Sequence, residues 1–227
     1  MFYVESSGSP PLLTHIPGSK TYPVITISMS ETDESCPFCN IASAHAPYPP
    51  ADPPSPSPSI LSPSLTSPAS FVVLSTPTLI SFLDIMPLSF GHLLVCPRPH
   101  RPKLTDVSPS EAKELGAAVR ILSKALIRAT GVEDWNVVQN NGAAAAQVVP
   151  HTHYHLIPRP DIRARGKISE SFTMFGKGRR EELDDDEAEK LAHSLRVEVA
   201  RVLGEEEETA EALGQNGEPR TDSQAKL

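Results

Sequence analysis

The placement of proline sets the first limit on what this chain can fold into. Of 227 residues, 24 are proline, and they concentrate before residue 103. The run Tyr48-Pro49-Pro50-Ala51-Asp52-Pro53-Pro54-Ser55-Pro56-Ser57-Pro58 can be neither strand nor helix, because each proline lacks an amide donor and fixes its φ. The folded part is therefore smaller than the chain, although 39% hydrophobic residues suffice for one compact core. Three spans follow. Residues 1–34 read as a loosely attached, partly disordered arm with one β-prone piece, Val24–Ile27. Residues 35–203 read as the domain, interrupted at about 46–70 by a Pro/Ser-rich insertion, disordered or polyproline-like and running over the surface near the cleft. Residues 204–227 read as an acidic disordered tail.

Within the domain, Phe71–Leu74 and Leu79–Leu83 are short β-prone runs around the turn Ser75-Thr76-Pro77-Thr78. His92–Cys96 is a third, closed by Pro97. Ser108-Pro109-Ser110-Glu111 opens a long helix through a capping box; Leu115, Val119, Leu122 and Leu126 form its apolar stripe and Gly131 ends it. Trp135–Gln139 is the next strand, followed by the small-residue loop Asn140–Ala146 and a histidine-bearing strand that ends at Pro158. Acidic residues 184–187 favour a second helix start, with Leu191, Leu195, Val199 and Val202 as its stripe. The pattern predicts an α+β fold: a mainly antiparallel sheet with one long covering helix and a C-terminal helix.

Charge and cysteine content exclude several classes. The net charge of −8 comes from acidic clusters at Glu181–Glu189 and Glu205–Glu208, and no basic patch with interleaved aromatics is present, so nucleic-acid binding is not expected. No apolar run approaches the roughly 20 residues needed to cross a bilayer. Cys36, Cys39 and Cys96 are an odd set with one close pair; with no signal peptide in sight, they argue for a reducing, cytoplasmic or nuclear setting and against a disulfide framework.

The chemistry concentrates in Gln147–Ile157. Alternation along a strand places His151, His153 and His155 on one face, about 7 Å apart. Each imidazole has two ring nitrogens that need partners away from water, so such a row makes a poor core and a good phosphate site. A neutral imidazole can attack phosphorus at pH 7, and His153, flanked on both sides, is the natural nucleophile, with His151 and His155 supporting it. The competing readings are a solvent-facing strand or a zinc site made of all three. Cys36-Pro37-Phe38-Cys39 offers two thiolates at zinc-binding spacing, half of a site, against the plainer reading of two reduced thiols in a turn. Asp84 is an acceptor suited to a diol, or simply a turn residue. His100 alone reads equally as a capping or surface histidine, His92 as a buttress of the pocket, and Cys96 as core.

His151-Thr152-His153-Tyr154-His155-Leu156-Ile157 resembles the His-x-His-x-His-apolar-apolar signature of the histidine triad superfamily of nucleotide hydrolases and transferases. Cys36–Ile41, Phe82–Ile85, Gly91–Val95 and Gln139–Gln147 resemble that family's pieces in the family's order, over about residues 35–45 and 71–160. The resemblance implies a covalent nucleotidyl-histidine on His153, supported by His155 and His151. It implies a nucleotide held by Asp84 on the ribose, Phe82 and Leu83 beside it, Asn140 and Gln147 at the phosphate or the leaving group, and Val148 and His155 at the phosphate. Val148 departs from the Ser or Thr that many members carry, leaving only its backbone amide as a donor. The resemblance further implies a structural zinc on Cys36, Cys39, His100 and His151, and a homodimer. The leading expectation is hydrolysis of adenosine 5'-phosphoramidates or related AMP conjugates, the purine nucleotide being the substrate, since Asn140–Ala146 looks like the phosphoramidase branch. Gly91–Pro99 also resembles the dinucleoside polyphosphate hydrolases. A non-catalytic AMP-binding regulatory or scaffold protein is the alternative from a different class.

Overall fold

A computed structural model describes residues 33–54, 59–160 and 182–215. The expectations for 1–32, for the middle of the insertion and for 216–227 lie outside the described residues. Five antiparallel strands form the sheet: β1 (Val72–Ser75), β2 (Leu79–Leu83), β3 (Leu93–Pro97), β4 (Trp135–Gln139) and β5 (Tyr154–Pro158), in the order β1-β2-β3-β5-β4.

Every residue of β1, β2 and β3 is buried because both faces of that half of the sheet are covered, so these strands read as continuous apolar runs and not as alternation. On one face Leu79, Leu83, Leu93, Val95 and Leu156 pack beneath α2 (Pro109–Thr130) and α3 (Asp185–Gln215). On the other, Ile80, Phe82, Leu94 and Cys96 pack beneath α1 (Pro37–Ala44) and part of the insertion. The capping box forms as expected: the Glu111 amide donates to Ser108 Oγ at 3.3 Å and the Ser108 amide to Glu111 Oε2 at 2.7 Å. Gly131, at φ 68°, supplies the left-handed residue that ends α2.

The Cys-x-x-C segment opens a helix, with Cys36 at its N-cap and Pro37 in its first turn where the missing amide costs nothing. Three expectations need correction. The insertion is partly ordered. Proline removes ladder hydrogen bonds but leaves side chains free to bury, so Tyr48 packs under the sheet with its hydroxyl donating to the Val73 carbonyl at 2.7 Å, and Leu61 is buried beside it. The histidine strand begins only at Tyr154, because Pro150 has no amide to offer and β4, its partner, ends at Gln139. Finally, α3 continues through Gly204 to Gln215 where a disordered tail was expected from 204. Glu205 pairs with Arg128, and Glu206 with Arg120 and Lys124, so the acidic run lies along a basic flank of α2. No helix of the described residues is long and apolar enough to cross a membrane.

Candidate functional site

The site lies on the α1 face of the sheet. Register places Phe82 opposite Leu94, Leu94 opposite His155 and His155 opposite Val138, a row across four strands that floors a cavity of about 1370 Å³. Phe38 and Ile41 of α1 close it from above, and Leu83, Asp84, Asn140, Val148, His153 and Arg159 also line it.

His153 precedes β5. Its Nδ1 lies 2.6 Å from the His151 carbonyl oxygen, and a carbonyl can only accept, so Nδ1 carries the proton and Nε2 keeps its lone pair. The edge of Phe38 meets the ring at a centroid distance of 5.0 Å, fixing its plane. Burial holds the His153 imidazolium below its ordinary range, against the opposing pull of the His151 carbonyl and Asp84. The arrangement presents a neutral, oriented imidazole to the cavity.

His155 stands 4.8 Å from His153, centroid to centroid. The Leu88 amide donates to His92 Nδ1 at 3.2 Å, which places the His92 proton on Nε2; that nitrogen lies 3.0 Å from His155 Nδ1 and donates to it. His155 is left with its own proton on Nε2, a donor at the cavity wall. Asp84 Oδ2 lies 3.3 Å from His92 Nδ1 and would pair with that ring if it gained a second proton, while Oδ1 accepts from the Met86 amide at 2.9 Å.

Gln147 is placed differently from the expectation of a phosphate contact. Its Oε1 accepts from the Gly142 amide at 2.6 Å and its Nε2 donates to the Pro102 carbonyl at 2.8 Å, so the buried side chain closes the 142–147 loop and does not line the cavity. Asn140 and Val148 do line it, Val148 at 90% exposure.

His151 points away from its neighbours into a second cluster. Cys36, Cys39, His100 and His151 bring one ligand atom each to within 4.8 Å of one another. Cys36 Sγ lies 3.4 Å from His151 Nδ1, and Cys39 Sγ 3.3 Å from His100 Nδ1 and 3.6 Å from His151 Nδ1. Tetrahedral zinc with ordinary bond lengths separates a sulfur and a nitrogen ligand by about 3.6 Å, so the cluster fits such an ion. His151 Nε2 donates to the Pro97 carbonyl at 2.8 Å, which frees Nδ1 as a ligand and fixes the ring. Burial pushes the His151 imidazolium down to about 4 and the Cys39 thiol up to about 11, the former already in the neutral form a ligand needs. The four residues could hold a metal ion.

Sequence reasoning did not single out Arg159. Arg159 was within reach, since the two-residue period running through His155 and Ile157 arrives at it on the same face. Its Nε donates to Asn136 Oδ1 at 2.7 Å. Residues 65–70 end the insertion that was expected near the cleft, and they line the cavity.

Residues 66–162 match the HIT domain family model. The chain is 36% identical over 141 residues to an adenosine 5'-monophosphoramidase of Candida albicans, covering 60% of this chain and 87% of that protein. It is 46% identical over 79 residues to an adenylylsulfatase of Arabidopsis thaliana, covering 35% of this chain and only 40% of that relative's length. Among solved structures, a Zn-bound histidine triad family protein from Mycobacterium smegmatis aligns at 25% identity with a TM-score of 0.50, covering 75% of this chain and 96% of that one.

Proposed function

The chain belongs to the histidine triad (HIT) family, and from that premise we propose that it is a nucleotide hydrolase acting on adenosine 5'-phosphoramidates or related AMP conjugates. His153 Nε2 attacks the α-phosphorus and forms a P–N bond while the bond to the leaving amine breaks; the amine takes the proton held on His155 Nε2. Water then attacks phosphorus and gives its proton back to His155. The P–Nε2 bond breaks, and AMP leaves with His153 restored. Asp84 accepts from the ribose hydroxyls, Phe82 and the Leu83 backbone border the nucleoside, and Asn140 donates to phosphate. The Val148 backbone amide adds to these contacts.

One observation carries this reading: the 2.6 Å hydrogen bond from His153 Nδ1 to the His151 carbonyl, which leaves the cavity-facing nitrogen as the nucleophile. The Candida relative, a phosphoramidase by name, supports the choice of substrate. We also propose that zinc occupies the Cys36, Cys39, His100 and His151 cluster. With four protein ligands and no open position, its contribution there is structural. Rapid-quench mixing with phosphorus-labelled adenosine 5'-phosphoramidate tests the route. Label should appear on the protein in acid-labile form and be missing in His153→Gly; AMP formation with no labelled protein at any time would defeat it.

A further inference from the structure

Helix α1 is eight residues long, too short to be stable on its own, and it carries groups on which the site depends. Cys36 caps it and Cys39 follows in its first turn, both in the cluster with His100 and His151. Phe38 sets its ring edge against His153 and against Phe82, the latter at a centroid distance of 5.2 Å. The cluster fixes the N-terminal end of the helix. Its C-terminal end is fixed by Arg98.

Arg98 is 3% exposed, a guanidinium taken almost wholly out of water, and no carboxylate pairs with it among the described residues. Its Nη1 donates to the Ala42 carbonyl and its Nη2 to the His45 carbonyl at 2.8 Å, oxygens that the end of α1 leaves without an intrahelical partner. Nη2 also donates to Ser75 Oγ, and Nε donates to the Thr76 carbonyl at 2.6 Å. Ser75 Oγ in turn donates to the Ala46 carbonyl at 3.0 Å. A cation is costly to bury, and every acceptor that offsets the cost here belongs to the junction between the end of α1 and the turn joining β1 to β2. The charge also lies where the helix dipole is negative. Arg98 and His100 stand two residues apart in the segment that leaves β3, one gripping the C-terminal end of α1 and the other reaching the cluster at its N-terminal end.

We propose that Arg98 is a positioning residue for the reaction: by gripping the end of α1 it holds Phe38 against the His153 ring and keeps the nucleophile aimed into the cavity. This rests on the reading that His153 attacks phosphorus, and it adds a residue that does not itself line the cavity. A displacement of about 1 Å at a reacting group can cost about a hundredfold in rate. The polar groups assigned to ribose and phosphate, on Asp84, Asn140 and Val148, lie outside α1, so a slack helix lowers kcat much more than it raises KM.

A double-mutant cycle on the hydrolysis of adenosine 5'-phosphoramidate tests this. Arg98→Lys keeps the charge, but one ammonium cannot span the helix end and the turn together; kcat should fall at least about tenfold while KM stays within about threefold. Phe38→Leu keeps an apolar side chain and removes the ring edge, and should lower kcat to a similar extent. In the Phe38→Leu background, Arg98→Lys should cost less than about twofold more, because the contact it serves is already gone. Circular dichroism at the assay temperature is the folding control. If Arg98→Lys does not fold, Ser75→Ala takes its place: losing one acceptor of the grip should lower kcat about threefold in the parent and leave it unchanged in Phe38→Leu. An unchanged kcat in either single variant, a loss carried by KM alone, or equal losses in both backgrounds overturns the proposal and leaves the hydrolase standing. A parent with no turnover refutes the hydrolase, and the positioning role falls with it.

Discussion

At the scale of single residues, His153 and Val148 give the clearest tests. His153→Ala should reduce hydrolysis of adenosine 5'-phosphoramidate by about four orders of magnitude or more, because removing a nucleophile removes the covalent route and not just a contact. Steady-state kinetics with AMP binding as a control measures it. Val148→Ser restores a hydroxyl at a position 90% exposed, so stability should not change, whereas kcat/KM should rise about three- to tenfold from one added hydrogen bond to phosphate. Legibility at this scale was uneven. Period-2 alternation identified His153 and His155 as cavity residues, but carried His151 along with them; Pro150 interrupts the strand, and His151 turns to the cysteines instead. Gln147 was misplaced for a related reason. An amide next to a phosphate site in sequence has two ends, and here the loop itself takes both.

At the scale of elements, the Cys36, Cys39, His100 and His151 cluster joins α1, the loop after β3 and the approach to β5. Protein purified without chelator is expected to hold about one equivalent of zinc by elemental analysis. Chelation should lower Tm by roughly 5–10 °C, since binding free energy of a structural ion is folding free energy. The start of α2 adds a pH dependence. Burial pushes the Glu111 carboxyl up, but the hydrogen bonds from Arg101 and from Ser108 outweigh it, so the folded-state pKa lies below the ordinary carboxylate value. A depressed carboxylate stabilises the fold above its unfolded pKa, near 4.5, and that contribution is lost as pH falls through the lower folded value. Glu111→Gln should therefore destabilise the protein at pH 7 and converge on the parent in acid, as followed by thermal melts between pH 7 and 3. The capping box, the strand runs and the stripes of α2 and α3 were legible because each depends on neighbours within a few residues. Helix α1 was not, since eight residues that start on a proline carry little periodicity.

At the scale of the whole molecule, the edge of β4 is unpaired among the described residues, with Trp135 at 37% and Val137 at 45% exposure. A second copy joined along this edge is the expected assembly. Light scattering should give a dimer mass for the parent and a shift toward monomer for Val137→Lys. The antiparallel α+β architecture was legible from element order. The extent of order was not: composition marked the insertion and the acidic run after 204 as disordered, whereas Tyr48 and Leu61 anchor one and the basic flank of α2 holds the other. Such anchoring depends on partners far away in sequence.

His151 has two duties. Its imidazole belongs to the cysteine cluster, and its carbonyl fixes the proton of the attacking ring two residues on. Whatever loosens the first also unsettles the second, so removing the zinc proposed for that cluster should blunt reactivity well before the chain melts, a dimmer on the chemistry worked by a lever one residue long.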